Sequence, residues 1–345
     1  MIANPILAKN MRFIDGNSAW VENIHRGAFC LIDAGGKITK SAGDIKTPIF
    51  PHSAIKSMQA MALFASGAVE KFSLDKKDIA LSCASHNGDV IHIEGVQRFL
   101  KKIGCSVDDL ECGVHVPLGK GARKVFFATG EPLSAIYNAC SGKHAGMLAV
   151  ARALGVATKG YSEPSHEVQQ LVQYCIEQVI GQDLKGDRCA VDGCSVPTFA
   201  APLESFALGF ARMSSGSGLS VELANAAKQI FSAGAEYPIL IRGESYLDSD
   251  LIAAFNGRLM IKNGAEGVYC GVLHSNNKEK NIGFALKIDD GNLQVSEVVV
   301  ANILLNFANA NEQEEKILRQ YCSKQLKNWR NISVGEIISA SDLFS

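Results

Sequence analysis

The sequence predicts a mixed α/β fold in which strands near both chain ends enclose a helical middle. Three observations carry this. Beyond residue 250 the apolar residues fall in short runs, 258–262, 268–273 and 282–288, bounded by turn formers such as Asp289-Asp290-Gly291. Near the other end, the run 28–33 leads through Ala34-Gly35-Gly36-Lys37 to a return from Ile38 toward Gly43-Asp44, which reads as a hairpin. Between these ends, apolar residues recur at helical spacing. The 345 residues therefore suggest one α/β unit, spanning 1–345, with a helical insertion rather than two sequential domains.

Taken in order, the first helix opens at Ser53, with Pro51 at its entrance and Ile55, Met58, Ala62, Ala65, Val69 and Phe72 on one face. Residues 79–84 then read as an apolar strand that stops at Ser85-His86-Asn87-Gly88-Asp89, a cluster of turn formers. A helix bearing Ile93, Val96, Leu100 and Ile103 ends at Gly104. Asn138-Ala139-Cys140-Ser141-Gly142-Lys143-His144 leads into another that stops near Leu154-Gly155. Further helices are expected at 166–181, 203–213 and 220–233, with a polar loop at 191–197. The last strand is expected at 293–300, and the charge run 312–316 reads as a solvated helix face.

Apolar residues make up 47% and charged residues 20%, which places the chain in the globular class. A formal net charge of −1, without basic clusters interleaved with aromatics, argues against nucleic acid as a partner. No apolar run approaches the roughly 20 residues that span a bilayer. The N-terminal stretch lacks a long apolar core and a small-residue cleavage site, so a cytoplasmic location is expected. In that setting the ten cysteines are read as thiols. Cys175, on the stripe Val168, Leu171, Val172, Ile176 and Val179, is a core filler.

Ser53-Ala54-Ile55-Lys56 is the first candidate for chemistry. Three residues along a helix share a face, so a neutral Lys56 amine would stand beside the Ser53 hydroxyl and take its proton during attack on a carbonyl. The motif alone is weak. Two further S-x-x-K matches occur, Ser73/Lys76 and Ser275/Lys278. The first stands ahead of a serine in a later loop, Ser85, and of Lys262-Asn263-Gly264 at a strand end, and it alone also falls within one of five longer sequence blocks. The order S-x-x-K, serine, K-x-G resembles that of β-lactamases and penicillin-binding proteins, and it pairs two hydroxyls with two amines around one acyl centre. Gly142-Lys143 does not make a phosphate loop, because Tyr137 stands where a glycine is needed and His144 where Ser or Thr is needed.

Five blocks extend the pattern. Ser53-Ala54-Ile55-Lys56 with Gln59-Ala60, Cys83-Ala84-Ser85-His86-Asn87-Gly88, Asn138 through Gly146, Val191-Asp192-Gly193-Cys194, and Gly264-Ala265-Glu266-Gly267-Val268 together resemble the Rhizobium etli-type asparaginases. That family, asparaginase II, has a serine β-lactamase-like fold with an antiparallel sheet flanked by helices. The likeness runs from Val21-Glu22 to Val334-Gly335-Glu336-Ile337.

The resemblance implies an enzyme converting L-asparagine to L-aspartate and ammonia. Ser53 would be the nucleophile, Lys56 its base, Ser85 and Lys262 a second Ser-Lys pair, and Asp192 the residue ordering the polar network. His52, His86, Gly264 and Glu266 would lie at the substrate. Cys140, Lys143 and Cys194 match the family's zinc-binding positions, where Zn2+ modulates substrate binding rather than acting as an obligate hydrolytic metal. A homodimer is implied as well. For Lys56 to act as a base its pKa of about 10.4 must fall by roughly three units, about 4 kcal/mol, through burial, Lys262 and zinc.

One position departs from the family. His52 stands where arginine usually precedes the nucleophilic serine, replacing a permanent cation by an imidazole that is charged only when protonated. The competing readings are a glutaminase or β-lactam-reactive hydrolase on the same fold, and a non-catalytic zinc-dependent binding protein.

Overall fold

The computed structural model describes residues 3–15, 18–184, 188–275 and 281–340, so the Lys278 half of the third S-x-x-K match lies outside the described residues. Among the described residues the strands are β1 (Ile6–Asp15), β2 (Ser18–Asp33), β3 (Ile38–Ala42), β4 (Pro48–Ile49), β5 (Cys189–Val191), β6 (Pro197–Phe199), β7 (Ala201–Pro202), β8 (Leu259–Asn263), β9 (Val268–Leu273), β10 (Ile282–Ile288), β11 (Ser323–Lys327) and β12 (Ser333–Ser339).

The main sheet runs β11-β12-β1-β2-β10-β9-β8, with β3 also on β2 and antiparallel pairing throughout. β2 joins its two halves. Up to Arg26 it pairs with β1, and from Gly27 onward with β10. Its first seven residues are exposed, and burial begins at His25. Gly27 marks the changeover because a Cβ there would stand 2.2 Å from the Lys287 carbonyl oxygen. Any larger residue would push the two strands apart.

Helix Leu203–Ser215 lies on β10, β2 and β9, and helix Leu293–Phe307 on β10, β9, β12 and β1. The middle of the chain supplies helices Val90–Lys102, Ser141–Leu154, Glu167–Ile180 and Val221–Glu236. The architecture is therefore the expected α/β one: an antiparallel sheet built from both chain ends, flanked by helices, with a helical middle. Among the described residues no helix is long and apolar enough to cross a membrane.

Several elements differ from the sequence reading. Residues 79–84 are not a strand; 79–82 belong to helix Lys76–Ser82, which Asp75 starts by accepting from the Lys77 and Asp78 N–H groups while the Asp78 side chain accepts from Asp75 N–H. Its residues Asp78 to Ser82 are all buried, so the apolar run has no exposed face to reveal a 3.6 period. The 293–300 run is likewise helical. Asn292 caps it by accepting from Val295 N–H, and the core it enters outweighs the strand preference of Val298-Val299-Val300. The helix expected from Ser53 to Phe72 is a series of short turns: His52–Ile55, Lys56–Gln59, Met61–Ala65 and Ala68–Lys71. Nor is the 312–316 run wholly solvated, because Glu314 is buried and both its carboxylate oxygens lie 2.8 Å from Arg258 NH1, which donates to them.

Candidate active site

The Pro51–Lys56 segment enters the centre through His52, whose φ of 48° lies in the left-handed region. Lys56 follows and is wholly buried. Its Nζ donates to the Ala84 carbonyl, to Ser85 Oγ at 2.9 Å and to Cys140 Sγ at 3.3 Å. The lysine of the S-x-x-K motif thus reaches the second serine. The Ser53 hydroxyl, half-buried at the start of the turn, makes no hydrogen bond among the described residues.

The Ser85 loop is strapped down on both sides. Ser85 N–H donates to Ile241 O at 2.9 Å and His86 N–H to Ala139 O at 3.0 Å. The His86 ring is fully buried, and burial pushes its pKa well down. Its Nδ1 accepts from Gly88 N–H at 3.1 Å, which leaves Nε2–H to donate to Ser141 Oγ at 2.8 Å. Both ring nitrogens are spent inside the protein, so no polar atom of this ring is left for a substrate. Glu266, also expected at the substrate, is exposed on the β8–β9 turn with φ 54°.

Lys262 comes to the centre because β8 ends against the Ser53 turn. Gly264 allows this approach: a Cβ there would stand 2.6 Å from Pro51 O and 3.2 Å from the Ala54 Cβ. That contact explains the glycine of the K-x-G motif. The Lys262 side chain is 1% exposed. Its Nζ donates to Asn263 O at 2.9 Å and Asn263 Oδ1 at 2.5 Å, and lies 3.9 Å from Asp248 Oδ1. Burial pushes its pKa down to about 7; the Asp248 carboxylate opposes the shift, and the Lys56 and Arg242 charges reinforce it.

The opposite wall holds two thiols and an amine. Cys140 precedes helix Ser141–Leu154, Lys143 lies on its first turn, and Cys194 comes from the turn between β5 and β6. Lys143 Nζ donates to Cys194 Sγ at 2.8 Å, and Cys194 Sγ approaches Asp192 Oδ2 at 3.6 Å. A hydrogen bond from Cys194 lowers the Cys140 thiol well below its ordinary range, while that same bond raises Cys194. The two thiols are thereby coupled, and a shared proton that is favoured on one is disfavoured on the other. Burial works against the Lys143 charge, but Cys194, Cys140 and Asp192 together hold its pKa above the ordinary value. Asp192 Oδ1 stands 3.0 Å from His52 Nδ1. Burial raises the Asp192 carboxyl, yet the His52 hydrogen bond and Lys143 leave it well below the usual carboxylate range.

The structure thus brings together Lys56, Ser85, Cys140, Lys143, Cys194, Asp192 and His52 through direct contacts, and sets Ser53 and Lys262 on the adjoining turn and strand end. Sequence reasoning missed Asp248, Arg242 and Tyr269, which form a buried polar group behind Lys262. One weak signal existed: Asp248 stands three and four residues before Leu251 and Ile252, on an apolar helix face.

A buried amine donating to a serine hydroxyl, as Lys56 does to Ser85, is an arrangement through which a proton can pass. The L-asparaginase II family model matches residues 17–339. The chain belongs to that family and is an amidohydrolase. A search of proteins of curated function found no match. Among solved structures, it is similar to the Bacillus subtilis glutaminase YbgJ in covalent complex with 5-oxo-L-norleucine, at 13% identity over 85% of this chain and 84% of that one, with a TM-score of 0.35. A Bacillus glutaminase in 4.3 M NaCl matches at 13% identity over 85% and 89%, with a TM-score of 0.34. The family match carries the assignment without these distant likenesses.

Proposed function

We propose that this amidohydrolase hydrolyses the side-chain amide of L-asparagine through an ester on Ser53, in the manner of the Rhizobium etli-type enzymes. The observation that carries this reading is the wholly buried Lys56 amine, 2.9 Å from the Ser85 hydroxyl, with the Ser53 turn alongside. Ser53 Oγ attacks the amide carbon and its proton passes to a neutral lysine amine. Lys262, whose pKa burial pushes down to about 7, is suited to receive it. The same proton is returned to the departing nitrogen, which leaves as ammonia. Water then gives a proton to the amine while its oxygen attacks the ester carbon. Ser53 recovers that proton and aspartate is released. Ser85, already bonded to Lys56, relays protons between the amines and the reacting atoms. His52 meets the substrate's α-carboxylate.

The reading includes a Zn2+ ion held by Cys140, Lys143 and Cys194. Among the described residues no group of three His, Cys, Asp or Glu side chains converges in a metal-binding arrangement. The donor set here is two thiols with a lysine, all buried and mutually hydrogen-bonded or charge-coupled. It suits zinc once the amine and the shared thiol proton are lost. Bound there, the ion would supply fixed positive charge to the wall of the site.

Ammonia release from asparagine and glutamine, with and without a chelator, tests the proposal. Expected is turnover of asparagine well above glutamine and its loss in Ser53→Ala. Full turnover by Ser53→Ala, with loss in Ser85→Ala, would transfer the nucleophile to Ser85. Equal or greater turnover of glutamine would overturn the substrate.

A further inference from the structure

Behind Lys262, polar links join the Ser85 loop to the catalytic end of β8. The main chain of residues 241–242 holds the loop: Ile241 O accepts from Ser85 N–H at 2.9 Å, and Arg242 O from Asn87 Nδ2 at 2.6 Å. The Arg242 side chain points to the other half. Its NH1 donates to Asp248 Oδ2 at 2.7 Å and to Tyr269 Oη at 3.1 Å, and Tyr269 Oη donates to Asp248 Oδ2 at 3.1 Å. Asp248 Oδ1 accepts from Asn263 N–H at 2.7 Å and stands 3.9 Å from Lys262 Nζ.

We propose that Arg242 and Asp248 form a positioning clamp that fixes the Ser85 loop and the Lys262 strand end relative to one another, with Asp248 supplying the fixed counter-charge behind the Lys262 amine. The inference rests on the Ser-Lys reading above for its effect on turnover, but not for its effect on Lys262. Asp248 is wholly buried, and three donors satisfy it: Arg242, Tyr269 and the Asn263 amide. Such a carboxylate stays ionised whatever the charge of Lys262. At 3.9 Å it is too far to hydrogen-bond the amine, so it acts through its field and through the backbone it holds. The other groups acting on Lys262 are Lys56 from the Ser53 turn, Cys140 from the helix start, and Arg242 itself. Tyr269 on β9 and Glu297, 3.2 Å from Arg242, complete the surroundings of the clamp. Asp248 is the carboxylate that opposes the loss of charge which burial and two cations impose on this amine.

Two substitutions move Lys262 in opposite directions. Asp248→Asn removes the counter-anion, so the ammonium is less favoured and the Lys262 titration falls by about one to three pH units. Tyr269→Phe removes a donor that disperses the Asp248 charge, so the titration rises by a smaller amount. Both are read by NMR of protein isotopically labelled at lysine Cε, with Lys262→Arg identifying the signal. In parallel, kcat for ammonia release should fall on the order of 100-fold in Asp248→Asn as the constellation loosens, while KM stays within about threefold. A purely structural role would move neither titration.

Unchanged Lys262 titration in folded Asp248→Asn would overturn the clamp. If that variant fails to fold, Tyr269→Phe decides: a rise supports the proposal and no movement overturns it. Should the wild type release no ammonia from any amide, the functional reading fails by itself, while the NMR titration still decides the clamp.

Discussion

Lys143 and Lys262 are both buried in the walls of one site, yet they are driven in opposite directions. Lys143 lies among Cys194, Cys140 and Asp192, and its positive charge is favoured. Lys262 has one carboxylate at 3.9 Å, and that carboxylate is already matched by Arg242 at 2.7 Å. Desolvation penalises both ammonium groups. The number of anions left uncommitted nearby decides which lysine keeps its proton. Lys262 is thereby ready to accept a proton near neutrality, whereas Lys143 would give one up only to a cation that takes its place between the thiols.

The most severe way to break this contrast is to remove the neutral amine. Lys262→Met should lower kcat/KM by about 100- to 10,000-fold. It should also abolish a limb of the pH profile. In the wild type the amine is protonated below its pKa of about 7 and free above it, so activity rises as pH increases through that value. A Lys262→Met profile that keeps the same rise would assign the titration to another group.

On the Lys143 side the effects should be smaller. Asp192→Asn removes one of the anions that hold the Lys143 charge and also the partner of His52. We expect a 10- to 100-fold fall in Zn2+ affinity, about the size seen when a supporting residue behind a metal ligand is lost, read by competition with a chromophoric chelator. Removing zinc from the wild type should change kcat less than about tenfold, because Lys262 and the two serines remain in place. Complete loss of turnover on chelation, restored by Zn2+ alone, would make the metal side the dominant one and reverse the comparison.

The two walls were unequally legible in the sequence. Cys140, Lys143 and Cys194 stand in compact blocks, and a helical turn or a tight loop between strands keeps sequence neighbours close in space. Lys262 was legible only with its glycine, since Gly264 records how closely β8 approaches Pro51. Asp248, Arg242 and Tyr269 come from separate elements, and no local spacing records a buried carboxylate's partners. Fold elements divide the same way. Strands β8, β9 and β10 are mostly apolar and buried, and were readable. The first seven residues of β2 and most of β11 are exposed, so they carry no apolar face to betray a period of two. Helix Lys76–Ser82 fails for the converse reason, being buried along nearly its whole length.

The smallest effect concerns His52, and it sharpens the comparison at the edge of the site. Its Nδ1 lies 3.0 Å from Asp192, the carboxylate that also holds Lys143 charged, and its side chain is 19% exposed. Its left-handed backbone is one that histidine adopts more readily than most non-glycine residues, so Arg in its place adds some strain. His52→Arg replaces a conditional charge by a permanent one. If the ring meets the substrate carboxylate, KM for asparagine should fall about two- to fivefold, as expected of a partly exposed ion pair, with kcat nearly unchanged. The guanidinium is a permanent, planar donor, so the gain should appear in KM rather than in kcat. An equal KM for the two proteins would show that His52 serves Asp192 and the Lys143 wall alone, and that the substrate's carboxylate is held elsewhere.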